Sequence, residues 1–144
     1  DQLDAMAELQ ILPSFFASHV YYWGDFHRDS VLGPERAERI SPMRSAQRRG
    51  LRFNLHNDSP VVPPDMLRLI WSAAARRTRS NQVLGPEQAI SVAAALRAVT
   101  LDAAYAHFEE ESKGSIAVKI HSYAQTGGSW PPHQNYVTSL GRHS

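Results

Sequence analysis

The chain has 144 residues, enough for one ordinary domain, and its 42% apolar share excludes disorder over most of its length. A formal charge of +1 does not advertise a nucleic-acid or anionic-membrane partner, and the absence of cysteine excludes disulfides and cysteine-ligated zinc. No apolar run approaches the ~20 residues that a bilayer span requires, and no secretory leader precedes Leu3, so the sequence reads as a soluble, cytoplasmic polypeptide.

Leu3, Met6, Ala7 and Ile11 have helical spacing and predict the last turns of a helix, which places the first residue inside an element and points to a fragment. Ile11 to Val20 is apolar and aromatic and predicts a buried strand, with Pro13 near its start, where proline is best tolerated. Tyr21 to Leu32 then reads as a polar and aromatic loop. Gly33-Pro34 opens a helix at Glu35, Ser41-Pro42 restarts it with Ser41 as cap, and Gly50 closes it as a left-handed terminator. Leu51, Phe53 and Leu55 alternate with polar residues and predict a second strand, Leu51 to Leu55.

From Pro64 a helix is predicted to Thr78, with Asp65 at its positive end and Met66, Leu67, Ile70, Trp71 and Ala74 as its apolar stripe. Pro86 starts another to Val99, lined by Ala89, Ile90, Ala93, Leu96 and Val99, and Thr100 caps a third from Leu101 to Phe108. Ile116 to Val118 begins a strand. Residues 119–144 show no period of 2 or 3.6 and read as a divergent, poorly ordered tail after a domain over residues 1–118. Strand, helix, strand, then helices describes an α/β fold with parallel strands. Two such strands leave bare edges and at least one bare face, so the fold is incomplete alone and prone to self-association.

The chemistry-bearing residues cluster just after the two strands. Asp58 follows the second strand, where barrels present catalytic groups, but an Asn-Asp-Ser-Pro turn also accounts for an aspartate there. His19 ends the first strand and should face the same edge, either contacting substrate or satisfied by backbone. His56, two residues before Asp58, should share its side of the strand. Trp23, Asp25 and His27 lie in the loop after the first strand, where an aromatic and an acid suit a polar organic substrate or simply cap a loop. His19, Asp25 and His27 lack the i, i+4 pairing of helical zinc sites. The arginines Arg36, Arg39, Arg44, Arg48, Arg49, Arg52, Arg76, Arg77 and Arg79 alternate with acids and read as solvated helix faces, not a nucleic-acid surface.

Several ordered motifs carry a resemblance. His19-Val20-Tyr21-Tyr22-Trp23-Gly24-Asp25, Leu32-Gly33-Pro34-Glu35-Arg36 and Asn57-Asp58-Ser59-Pro60-Val61 resemble the amidohydrolase superfamily, in the branch that includes N-substituted formamide deformylases. Gly85-Pro86-Glu87-Gln88-Ala89, the Ala98–Tyr105 segment and Lys113-Gly114-Ser115-Ile116 look like the closing helices of that branch. The resemblance implies the last quarter of a (β/α)8 barrel, with strands seven and eight in this chain. It implies a divalent metal, zinc by family habit, that Asp58 ligates while taking the proton of the attacking water. It also implies a small amide-like substrate touched by His19, Trp23, Asp25 and His56, and hydrolysis of non-peptide carbon–nitrogen bonds. The other metal ligands would lie upstream, and after Ile116 the sequence departs from the Gly-Lys-x-Ala-Asp pattern of the family. A non-catalytic remnant or interaction module is the alternative.

Overall fold

A computed structural model describes residues 1–116, so the predicted strand at Ile116–Val118 and the tail lie almost wholly outside the described residues. Helix α1 spans Gln2–Glu8 and begins with a capping box between Asp1 and Asp4, so Asp1 precedes the helix instead of lying within it. No α1 residue is buried. Arg49 ties it down, bonding Asp4 at 2.6 Å and Asp1 at 3.0 Å, and its guanidinium holds the Asp4 carboxyl down at about 2.

Strand β1 is Ser14–Phe15 and β2 is Asn54–Leu55, paired in parallel with Ser14 opposite Asn54. The parallel strands agree with the sequence pattern, but both are much shorter than the apolar runs. After Phe15 the chain coils at once: His19 N–H donates to the Phe16 carbonyl, and α2 runs over Ser18–Phe26. Val20 and Gly24 are buried four residues apart. A continuous apolar run satisfies either period, and here the helical one prevailed over both the predicted strand and the predicted loop. The helix then widens into a single π-turn, His27–Val31, closed by Leu32 N–H donating 2.8 Å to the His27 carbonyl.

Short helices α3 (Pro34–Ala37) and α4 (Met43–Arg48) return the chain to β2. Ser41 does not cap α4. It takes a left-handed φ of 47° and turns its hydroxyl to the Phe16 carbonyl. Gly50 has the left-handed conformation its position predicts. Helix α5 covers Met66–Ala75, starting where Asp65 accepts from the Arg68 N–H at 3.0 Å. Its buried face is Leu69, Ile70 and Ala73, whereas Met66, Leu67 and Trp71 of the predicted stripe are exposed. The two stripes differ by a rotation of about one residue, ~100°.

That rotation is fixed at the helix end by Arg76, which is wholly buried in the left-handed conformation. Its guanidinium donates to the Leu84 carbonyl at 2.8 Å, to Ile40 at 2.9 Å and to Ser41 at 3.3 Å. Arg76 is therefore an internal brace between α5, the 84–85 segment and the turn after α3, and not part of a solvated face. Burial pulls its pKa down to about 10, so it is still charged at neutral pH.

The predicted helix from Pro86 is split. A 3-10 turn at Pro86–Gln88 is followed by extended residues, and α6 (Val92–Val99) starts afresh where Ser91 accepts from the Ala94 N–H. Ala95 and Ala98 are its buried residues, while Ala93 and Leu96 face outward. Helix α7 (Leu101–Ala106) follows Thr100, whose hydroxyl bonds back to the Leu96 carbonyl and does not cap the new helix. The main core gathers Met43, Phe53, Leu55, Leu69, Ile70 and Ile90 over the two strands. Among the described residues no helix is long and apolar enough to cross a membrane.

Candidate functional site

The C-terminal ends of β1 and β2 deliver two short segments to one edge. Beyond β1, the first turns of α2 present His19, Trp23 and His27 along one helix face, four residues apart. The His19 ring lies 5.4 Å from Trp23 and 5.5 Å from His27, centroid to centroid. Phe16 underlies them, 4.3 Å from His19 and 6.1 Å from Trp23. Beyond β2, His56 stacks on Phe16 at 5.5 Å and pairs its Nδ1 with the Ser14 hydroxyl at 2.7 Å.

Asp58 completes the edge. β2 ends at Leu55, and Asp58 takes a left-handed φ of 55°, so the strand alternation expected to align His56 with Asp58 does not operate. A turn closed by Val61 N–H on the Asp58 carbonyl, at 2.8 Å, holds the residue, with Ser59–Pro60 cis. Its carboxylate is exposed yet close enough to act on His19. Burial lowers the His19 pKa, the His27 and His56 imidazoles lower it further, and Asp58 opposes them. His19 is therefore a neutral imidazole at pH 7, able to donate from one nitrogen and accept at the other.

Asp25 stands apart. Its carboxylate accepts from the Ser80 hydroxyl at 2.7 Å and the Ser80 N–H at 3.1 Å, with Arg28 at 3.2 Å. Those bonds pin α2 to the 77–83 turn, and they hold the Asp25 pKa below its ordinary value against the desolvation that raises it. Three buried polar atoms near the edge, His27 Nδ1, Asn54 Oδ1 and Asn57 Oδ1, have no protein partner among the described residues. Buried groups of this kind are ordinarily satisfied by water or a bound molecule. His27, weighed in the sequence with its loop and as a zinc ligand, and Asn57, read as part of a turn, are the neighbours that the sequence reading did not name as site residues. The four-residue spacing of His19, Trp23 and His27 was the available signal once the segment is read as helical.

A wider cleft of about 410 Å³ opens on another side of α2, against Tyr21, Arg68 and Trp71, and includes none of the predicted site residues. Among the described residues no three His, Asp or Glu side chains converge as a metal-ligand set. Asp58 offers one carboxylate; the chain's described residues do not by themselves fit a zinc ion.

A family model described as the amidohydrolase family matches residues 1–118. The chain is 32% identical over 78 residues to an N-substituted formamide deformylase of Arthrobacter pascens, a match covering 54% of this chain and 14% of that protein. Two solved structures share its fold, both uncharacterised metal-dependent hydrolases. The one from Pyrococcus horikoshii OT3 has a TM-score of 0.65 at 18% identity, over 79% of this chain and 23% of that one. Its counterpart from Pyrococcus furiosus has a TM-score of 0.64 at 24% identity, over 79% and 22%. The chain thus spans less than a quarter of the length of these relatives.

Proposed function

The chain belongs to the amidohydrolase family, and from that premise we propose that it forms the last quarter of a (β/α)8 barrel in a cytoplasmic, zinc-dependent hydrolase of non-peptide carbon–nitrogen bonds. The observation that carries the reading is the gathering of His19, Trp23, His56 and Asp58 at the C-terminal ends of two parallel strands, the end at which such barrels hold their sites. The name of the deformylase relative favours N-substituted formamides as the substrate class.

In this reading Asp58 is the proton acceptor and one carboxylate metal ligand. Its exposure keeps it accessible to an attacking water. Neutral His19 donates a hydrogen bond to the substrate without placing a second positive charge beside the carboxylate. Trp23 and the His56 ring flank Phe16 at the same edge, and Asp25 positions α2 through Ser80 instead of touching substrate. Zinc, when bound, lowers the pKa of water and polarises a carbonyl. In this reading the described residues supply proton handling, substrate contact and one carboxylate of the metal set.

The test is formate release from N-substituted formamides by the complete polypeptide that carries these residues. Asp58→Asn keeps the size and removes the base, and kcat should fall by ~10²–10⁴. His19→Ala should cost less. Unchanged turnover in the Asn variant would make Asp58 a turn residue and leave the non-catalytic module as the better reading.

A further inference from the structure

A second polar cluster lies at the opposite, N-terminal end of β2. Arg52 and Arg97 each place Nε 3.3 Å from the same Oδ1 of Asp102. The aspartate side chain is 10% exposed, whereas the two arginine side chains remain 42% and 55% exposed. Two cations therefore share one nearly buried carboxylate oxygen, leaving a local excess of one positive charge. A guanidinium carries five N–H donors. Arg97 uses Nε on Asp102. Arg52 lies over the Tyr105 ring at 3.9 Å, which fixes its plane. Among the described residues neither has another carboxylate partner, and residues 117–144 contain no aspartate or glutamate. Beside the pair is a cleft of about 240 Å³ walled by Leu51, Phe53 and Ala94.

We propose that this cleft binds a small organic carboxylate. Both arginines spend Nε on Asp102, and their remaining N–H groups are charge-assisted donors for one carboxylate. Leu51, Phe53 and Ala94 receive a short apolar tail. The apolar wall selects the class: Leu51, Phe53 and Ala94 reward an alkyl tail that inorganic phosphate lacks, and the Asp102 carboxylate opposes a dianion twice as strongly as a monoanion. The cleft lies at the end of β2 away from Asp58, so its ligand does not compete for the candidate active site.

Butyrate is the probe, titrated into the full chain at constant ionic strength while the Arg52 and Arg97 Nε–H resonances are followed by NMR. Both resonances should move and saturate. Arg97→Gln, an exposed position whose loss leaves the far-UV dichroism unchanged, should weaken binding at least about tenfold. Inorganic phosphate at about pH 8, where it is doubly charged, should bind more weakly than butyrate to the unaltered chain. In Asp102→Asn phosphate should gain at least about tenfold on butyrate, because the competing charge is gone. A non-saturating drift, saturation that survives Arg97→Gln, or phosphate binding tighter than butyrate to the unaltered chain would each overturn the assignment.

Discussion

Replacing Arg76 by methionine tests whether a buried cation braces this fold or burdens it. The substitution keeps most of the volume and removes every donor. The Leu84 carbonyl is bonded in the interior, so its loss costs the full ~1–3 kcal/mol of an unsatisfied buried acceptor. The bonds to Ile40 and Ser41 are partly exposed, and water repairs them at ~0.5–1 kcal/mol each. Against this sum of about 2–5 kcal/mol stands the relief of desolvating a guanidinium, so a net loss of about 2 kcal/mol is expected. For a chain this size the urea midpoint should fall by roughly 1 M with an unchanged slope, read by far-UV dichroism. Arg76→Gly should sit about 1 kcal/mol above Arg76→Ala, because φ is 48° and only glycine takes that conformation without strain. A methionine variant as stable as the parent would show that the three carbonyl bonds do not repay the burial.

Gly85→Ala should be worse tolerated still: a Cβ there would stand 1.9 Å from the Glu38 carbonyl oxygen, so a loss above ~2 kcal/mol is expected in the same urea titration. His19 should titrate below its ordinary 6.5, followed by the ring proton shift. The unfolded chain then binds more protons than the folded one between the two pKa values, so this group's contribution to stability is complete above 6.5 and is lost as pH falls through that window. Return of the His19 pKa towards 6.5 in His27→Gln would confirm that His27 shares in the depression. With Leu67 79% and Leu96 52% exposed, the isolated chain should self-associate on size-exclusion chromatography, and a monodisperse monomer would refute that expectation.

Part of the turn chemistry was legible in this sequence, although the caps expected of Ser41 and Thr100 turned to other carbonyls. Asp65 ahead of α5 and Gly50 after α4 act through one side chain or one φ, so local reading finds them. The parallel pairing of two strands about a helix was likewise plain from element order. The segment from Phe16 to Phe26 was not, because its apolar residues fit a strand as well as a helix until Gly24 packs against Thr78 and Leu84. The face of α5 was misread for a related reason. Arg76 is polar in sequence and yet as fully buried as Ser72 and Ala73 before it, so a hydrophobic count assigns the helix the wrong side. At the candidate site, position predicted His19, Trp23, His56 and Asp58 to share an edge. Asp25 was drawn elsewhere by Ser80, a partner 55 residues away that no local pattern announces.

The π-turn at His27–Val31 makes this part of the chain tolerant of a one-residue change in length. Each residue of an α-helix turns the chain by ~100°, and an i to i+5 closure stores one extra residue without breaking the helix. Removing Ser30 would let the turn relax to ordinary α geometry, with His27 still fixed from its N-terminal side. Leu32, which packs against Val20, Ala37 and Leu84, would keep its bond to the His27 carbonyl as an ordinary i to i+4 closure, so α3 and the Arg76 brace would nearly keep their phase. Surface connections usually absorb single-residue insertions and deletions. Here a helical turn does so, and relatives of this chain should differ by one residue between His27 and Gly33 without disturbing the elements that follow.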